Sequence, residues 1–83
     1  MTKQQGLNSQ IIHNGNTYHI QTQDKGPGMP YVESIIYKSG QLLTIQKTDY
    51  TSSLNDPQLE KKIAQIIRDQ HYSIMREISK GKF

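Results

Sequence analysis

"DPQLEKKIAQIIRDQHYSIMREISKG", residues 56–81, decides the architecture. Leu59, Ile63, Ile66, Ile67, Ile74 and Ile78 recur mostly at intervals of three and four, which lines one face of a helix of about 22 residues. Asp56 is placed to cap it, Pro57 at the first helical position has no N–H to leave unpaired, and Gly81 follows the last apolar turn as a stop. A one-sided helix needs an apolar surface to cover, and the chain offers no second helix. The partner must come from the residues before it.

Those residues read as strands. "SQIIHNGNTYHIQTQ" (9–23) sets Asn14-Gly15 between two apolar-containing runs, the pair that a type I′ hairpin turn favours because both of its central residues need positive φ. Strands are expected near 9–13 and 16–23. "YVESIIYK" (31–38) and "QLLTIQKTDY" (41–50) are rich in β-branched, aromatic and leucine side chains, and Ser39-Gly40 divides them as a second hairpin. The expected fold is α+β: an antiparallel meander of three or four strands with one long C-terminal helix on one face. Residues 1–8 are polar and unpatterned and are expected to form a disordered tail, leaving 9–83 as a single domain.

One helix covers one face of a sheet, so the other face should turn polar. Strand two alternates accordingly, Tyr18, Ile20 and Thr22 against Thr17, His19, Gln21 and Gln23. The later strands do not: Ile35-Ile36 and Leu42-Leu43 send apolar side chains both ways, with Tyr31 and Tyr37 on the side of Ile35. A β-bulge, or the segment 48–56 folding over, would hide this surplus. Otherwise Tyr31, Ile35, Tyr37 and Leu42 form a surface for a protein partner or for a second copy of the chain.

Composition narrows the chemistry. With 83 residues and 33% hydrophobic content there is little room for an internal catalytic cavity. The absence of cysteine excludes disulfides, thiolate metal sites and cysteine nucleophiles. "MTKQQGLNSQ" carries no apolar run of the kind found in signal peptides or membrane spans, and the expected location is cytoplasmic. The net charge of +3 resides in residues 57–83, where Lys61, Lys62, Arg68, Arg76, Lys80 and Lys82 outnumber Glu60, Asp69 and Glu77. Lys61, Arg68, Tyr72 and Arg76 share one helical strip, a basic row with an aromatic ring inserted, which supplies an alternative reading as a nucleic-acid contact. A merely solvated helix face has the same pattern.

The remaining signals are weaker. "DKGPG" (24–28) has the lysine and glycines of a phosphate loop, but Pro27 removes a backbone donor and a strand follows where a helix should, so the segment reads as a connector with Asp24 and Lys25 at its tip. No spacing of His13, His19 and His71 with carboxylates forms a zinc motif, and no metal or cofactor is expected. If the first turn is Asn14-Gly15, His13 and His19 lie on opposite faces; if it is Asn14-Gly15-Asn16, they share one. Gln70 falls near the centre of the apolar stripe and His71 on its flank, so both need polar partners at the sheet. His19, Gln21, Asp24, Gln70 and His71 are the candidates for such a network, or for a recognition pocket where helix meets sheet. The serines lack a Gly-x-Ser-x-Gly elbow, and no catalytic residue is identified.

The segments "YHIQTQDKG" (18–26), "DQHYSIMREI" (69–78) and "GKF" (81–83) resemble a small uncharacterised bacterial domain. Its members share a Tyr-His-Ile/Val-Gln-Thr-Glu/Gln-Asp strand, a hairpin and a Gln-His-containing helix that ends in Gly-x-Phe. The similarity spans residues 11–83 and implies no activity, cofactor or substrate. It directs attention to Tyr18, His19, Gln21, Thr22, Asp24, Gln70, His71 and Phe83. Gln23 stands where an acid is expected, which puts a charge-dependent role there in doubt.

Overall fold

The computed structural model describes residues 6–26 and 28–83. Four antiparallel strands, β1 (Leu7–His13), β2 (Asn16–Asp24), β3 (Tyr31–Lys38) and β4 (Gln41–Asp49), form one sheet in sequence order. A single helix, α1 (Leu59–Ser79), packs on one face of it, which makes the fold α+β.

Both hairpins close through two-residue turns in the left-handed region, Asn14 and Gly15 at φ 51° and 79°, Ser39 and Gly40 at 51° and 82°. These are the values of type I′ turns, whose twist matches that of the flanking strands. The first turn pairs His13 with Asn16, and this settles the register that the sequence left open: His13 is on the helix side, His19 on the opposite face. β1 begins two residues before its expected start, because Leu7 and Asn8 pair with Thr22 and Gln21. The expected tail is therefore shorter, and residues 1–5 lie outside the described residues.

The helix also differs from expectation at its start. Its first turn begins at Leu59, with Gln58 at the cap position making no side-chain bond. Asp56 serves the preceding turn instead, accepting the Gln58 N–H at 2.7 Å and pairing with Lys62 at 2.7 Å. Gly81 ends the helix as expected. At φ 77° it allows the Gly81 N–H to reach Ile78 O and the Lys82 N–H to reach Glu77 O, a Schellman closure that satisfies two terminal carbonyls.

α1 lies over β1, β2 and β3 and leaves β4 at the margin. The interface holds two apolar clusters. Tyr18, Ile20, Ile36, Ile74 and Ile78 form one, with the chain end folded back so that the Tyr18 hydroxyl donates to Phe83 O at 2.9 Å. Val32, Tyr50, Leu59, Ile63 and Ile67 form the other. Burying a side chain such as Ile20 or Ile36 completely contributes about 1.5–3 kcal/mol. Between the clusters runs a polar seam.

Candidate functional site

The seam is a continuous chain of side chains that crosses all four strands. Ser9 Oγ (β1) lies 2.8 Å from His71 Nε2; His71 Nδ1 lies 2.7 Å from Thr22 Oγ1 (β2); and Thr22 Oγ1 lies 2.6 Å from Ser34 Oγ (β3). Ser34 Oγ accepts from Gln70 Nε2 at 2.7 Å, and the Thr48 hydroxyl (β4) donates to Gln70 Oε1. Thr22, Ser34 and His71 are buried, and each polar atom has a partner, so this layer avoids the cost of stranded donors inside a core.

The direction of these bonds follows from what surrounds Gln70. Its Nε2 also faces two carbonyls, Gln46 O at 3.3 Å and Val32 O at 3.5 Å, so the amino group is on that side and donates to Ser34. The Ser34 hydrogen then has one acceptor within reach, Thr22 Oγ1, and the Thr22 hydrogen goes to His71 Nδ1. His71 must therefore carry its proton on Nε2 and donate to Ser9. This is the opposite polarity to a nucleophile–base pair, in which the imidazole accepts the serine proton. Burial also lowers the pKa of His71 and keeps the ring neutral.

Of the five residues expected to share a polar network, the structure unites only Gln70 and His71. Their roles are exchanged: His71 points straight into the sheet, fully buried, while Gln70 is half-buried at the β4 side. The helix turns the face of Leu59, Ile63, Ile67, Ile74 and Ile78 to the sheet, and His71 lies on that face while Gln70 sits at its edge. Gln70 lines a shallow groove of about 370 Å³ between α1 and β4, together with Thr48, Ile66, Asp69 and Ser73. His19 and Gln21 are excluded from the network, since both project from the opposite face of β2. His19 instead meets Tyr37 edge-on, with ring centroids 6.4 Å apart.

Asp24 belongs to a separate pair that the sequence reading missed. Its carboxylate is buried at the end of β2, where it accepts the Tyr50 hydroxyl at 2.5 Å and the Gly26 N–H at 2.9 Å. Burial, with the Asp24 acceptor beside it, pushes the Tyr50 phenol well above its usual range. A Cβ at residue 26 would run into the Tyr50 hydroxyl, so glycine is needed there for close approach. Asp24 and Gly26 are thus clamped by the residue after β4, while Pro27, which the connector reading also used, lies outside the described residues. Lys25 stays near Glu33 at 4.0 Å.

The open face of the sheet carries the other candidates. Tyr31, Ile35 and Tyr37 of β3 project from it, and across the pairing Ile45 stands opposite Ile35 and Leu42 opposite Tyr37. A register shift after Ile36 leaves Leu43 unpaired, so a bulge is present, yet it hides nothing: Leu42, Leu43 and Ile45 are 59%, 40% and 44% exposed. The segment after β4 does not cover this face either, because Tyr50 turns to the helix side. Leu43 and Ile45 were absent from the expected surface; their signal was the β-branched and leucine content of β4, but only the register assigns the face. The β1–β2 half of the same face is polar apart from Ile12, showing Asn8, Gln10, His19, Gln21 and Gln23.

Lys61, Arg68, Tyr72 and Arg76 all lie exposed on α1. Arg68 donates to Gln65, which in turn donates to Asp69, so part of that strip is engaged within the helix. Among the described residues no group of three His, Cys, Asp or Glu side chains is arranged to hold a metal ion, and no helix is long and apolar enough to cross a membrane. Comparison with protein-family models, with curated proteins and with solved structures finds no match to this chain.

Proposed function

We propose that the chain is a non-enzymatic protein–protein interaction module whose contact surface is the helix-free half-face formed by β3 and β4. One observation carries this reading: the cross-strand pairs Ile35–Ile45 and Tyr37–Leu42 stand side by side on an open face, with Leu43 beside them and nothing among the described residues over them. Grouped apolar side chains on so small a domain lose free energy to water that a partner recovers. The neutral His71, which donates to Ser9, supports the non-enzymatic part of the reading. A cytoplasmic location accords with a chain that has no cysteine.

Nucleic-acid binding through Lys61, Arg68, Tyr72 and Arg76 has less support, because Arg68 is held by Gln65 and Asp69 adds a negative charge beside it. The test of the preferred reading is fluorescence of an apolar dye with the native chain and with Tyr37→Glu and Ile45→Lys, folding being checked by circular dichroism. Native protein enhances the dye and both folded variants lose the enhancement. Native protein that leaves the dye dark defeats the reading.

A further inference from the structure

The β3–β4 face is complementary to itself. Its four cross-strand rows are Tyr37–Leu42, Ile35–Ile45, Glu33–Lys47 and Tyr31–Asp49. A two-fold axis parallel to the strands, along the line between β3 and β4, keeps each row at its own height and lays β3 of one copy over β4 of the other. Ile35 then meets the partner's Ile45, Tyr37 meets the partner's Leu42, and Tyr31 meets the partner's Asp49. Glu33 meets the partner's Lys47, and Lys47 the partner's Glu33.

An axis running across the strands serves less well. Through the Ile35–Ile45 row it sets Tyr37 over the partner's Glu33 and Leu42 over the partner's Lys47, which buries charge against apolar groups; moved between that row and Tyr37–Leu42 it matches only those two rows and leaves Glu33 and Lys47 without a counterpart in the partner. The β1–β2 half of the face offers only polar side chains around the exposed Ile12 and matches neither copy's apolar rows. The Lys47 ammonium lies 4.8 Å above the Tyr31 ring, and Glu33 is already close to Lys25. The Glu33 side chain, 12% exposed, is thus partnered by Lys25 and Lys47 rests on Tyr31 in the monomer, and pairing across the axis adds orientation and selectivity more than affinity.

Resting on the reading given above, we infer that the partner is a second copy of this chain, docked face to face through β3 and β4 about that axis. Two such hairpin faces, each about 10 Å wide and 27 Å long, bury on the order of 500–600 Å² in total, below the size of a standard specific interface. The dimer is therefore weak and concentration-dependent.

Light scattering on a sizing column tests this with a charge exchange. The native chain, 9.5 kDa as a monomer, reads twice that mass at high concentration. Glu33→Lys and Lys47→Glu, each alone, face like charge against like and read as monomers. An equimolar mixture of the two restores the double mass, because the new lysines of one chain meet the new glutamates of the other. The repulsion each variant carries within its own hairpin persists in the mixture, so restoration reports contact between chains. Ile45→Glu, at a 44% exposed position, also abolishes the dimer and serves if a charge variant does not fold. A native chain that stays at 9.5 kDa near 1 mM, a mixture of variants that stays monomeric, or a dimer that survives Ile45→Glu overturns the inference. A native monomer that still binds apolar dye removes the second copy and leaves the interaction face standing; a native monomer that binds none removes both.

Discussion

The Thr22 hydroxyl donates to His71 Nδ1 at 2.7 Å in the middle of the core, between residues 49 apart in the chain. Together with the bond from His71 to Ser9, this makes the imidazole the pin that joins α1 to β1 and β2. It also ties stability to pH.

Burial lowers the folded-state pKa of His71, whereas the unfolded chain takes up its proton near pH 6.5. Below that value the unfolded state binds more protons, so stability is complete above about pH 6.5 and declines as pH falls through it. The limiting slope from one site is about 1.4 kcal/mol per pH unit. Asp49 and Asp56, whose pKa values are lowered, lose their contribution only in the acid carboxylate range and leave the window from about pH 5 to 6.5 to the histidine. Urea denaturation at pH 7.5, 6.0 and 5.0 should show the decline in the native chain. His71→Leu should be about 1–3 kcal/mol less stable at pH 7.5 and show a flatter profile.

The hydrogen-bond direction through Gln70, Ser34 and Thr22 requires the Nε2–H form of His71. Nitrogen-15 spectra of the imidazole at neutral pH should show a protonated Nε2 and an unprotonated Nδ1. The reverse pattern would mean that Ser34 donates elsewhere and that the seam runs the other way.

Tyr50 should resist ionisation. Its phenol is buried against Asp24 and its pKa is raised, so an alkaline titration followed by absorbance should show a late step, at unfolding, to which Tyr50 contributes. Tyr50→Phe should shrink that late step and cost about 1–3 kcal/mol, since it leaves the Asp24 carboxylate short of a donor.

Gly26→Ala should be destabilising because the new methyl group meets the Tyr50 hydroxyl. Tyr50→Phe removes that hydroxyl, so the alanine should cost less in the Tyr50→Phe background than in the native one. Equal costs in both backgrounds, measured by thermal denaturation in a double-mutant cycle, would contradict the close approach.

Gly81→Ala should lower stability by about 1–2 kcal/mol, the cost of a Cβ in the left-handed region. Its neighbour Lys80→Ala, at φ −91°, should be near neutral in the same thermal assay.

How much of this was legible in the residues differs from element to element. Asn14-Gly15 and Ser39-Gly40 announced both hairpins because type I′ turns demand positive φ, and the spacing from Leu59 to Ile78 announced the helix. The surplus in Ile35-Ile36 was equally plain, since the period of two forces neighbours to opposite faces; at Leu42-Leu43 the same rule failed, because the bulge turns both leucines to the open face. All of these are local rules, acting within a few residues. Which of Gln70 and His71 enters the core, which hydroxyls meet them, and where Asp24 finds Tyr50 were decided only in the folded molecule. Ser9 and His71 lie 62 residues apart, Asp24 and Tyr50 26. Their meeting depends on how far α1 rolls on the sheet and where β4 releases the chain. Consecutive helix residues stand about 100° apart, so a roll of about 50° exchanges the buried side chain for its neighbour, and that is within the width of an apolar stripe, which periodicity does not resolve.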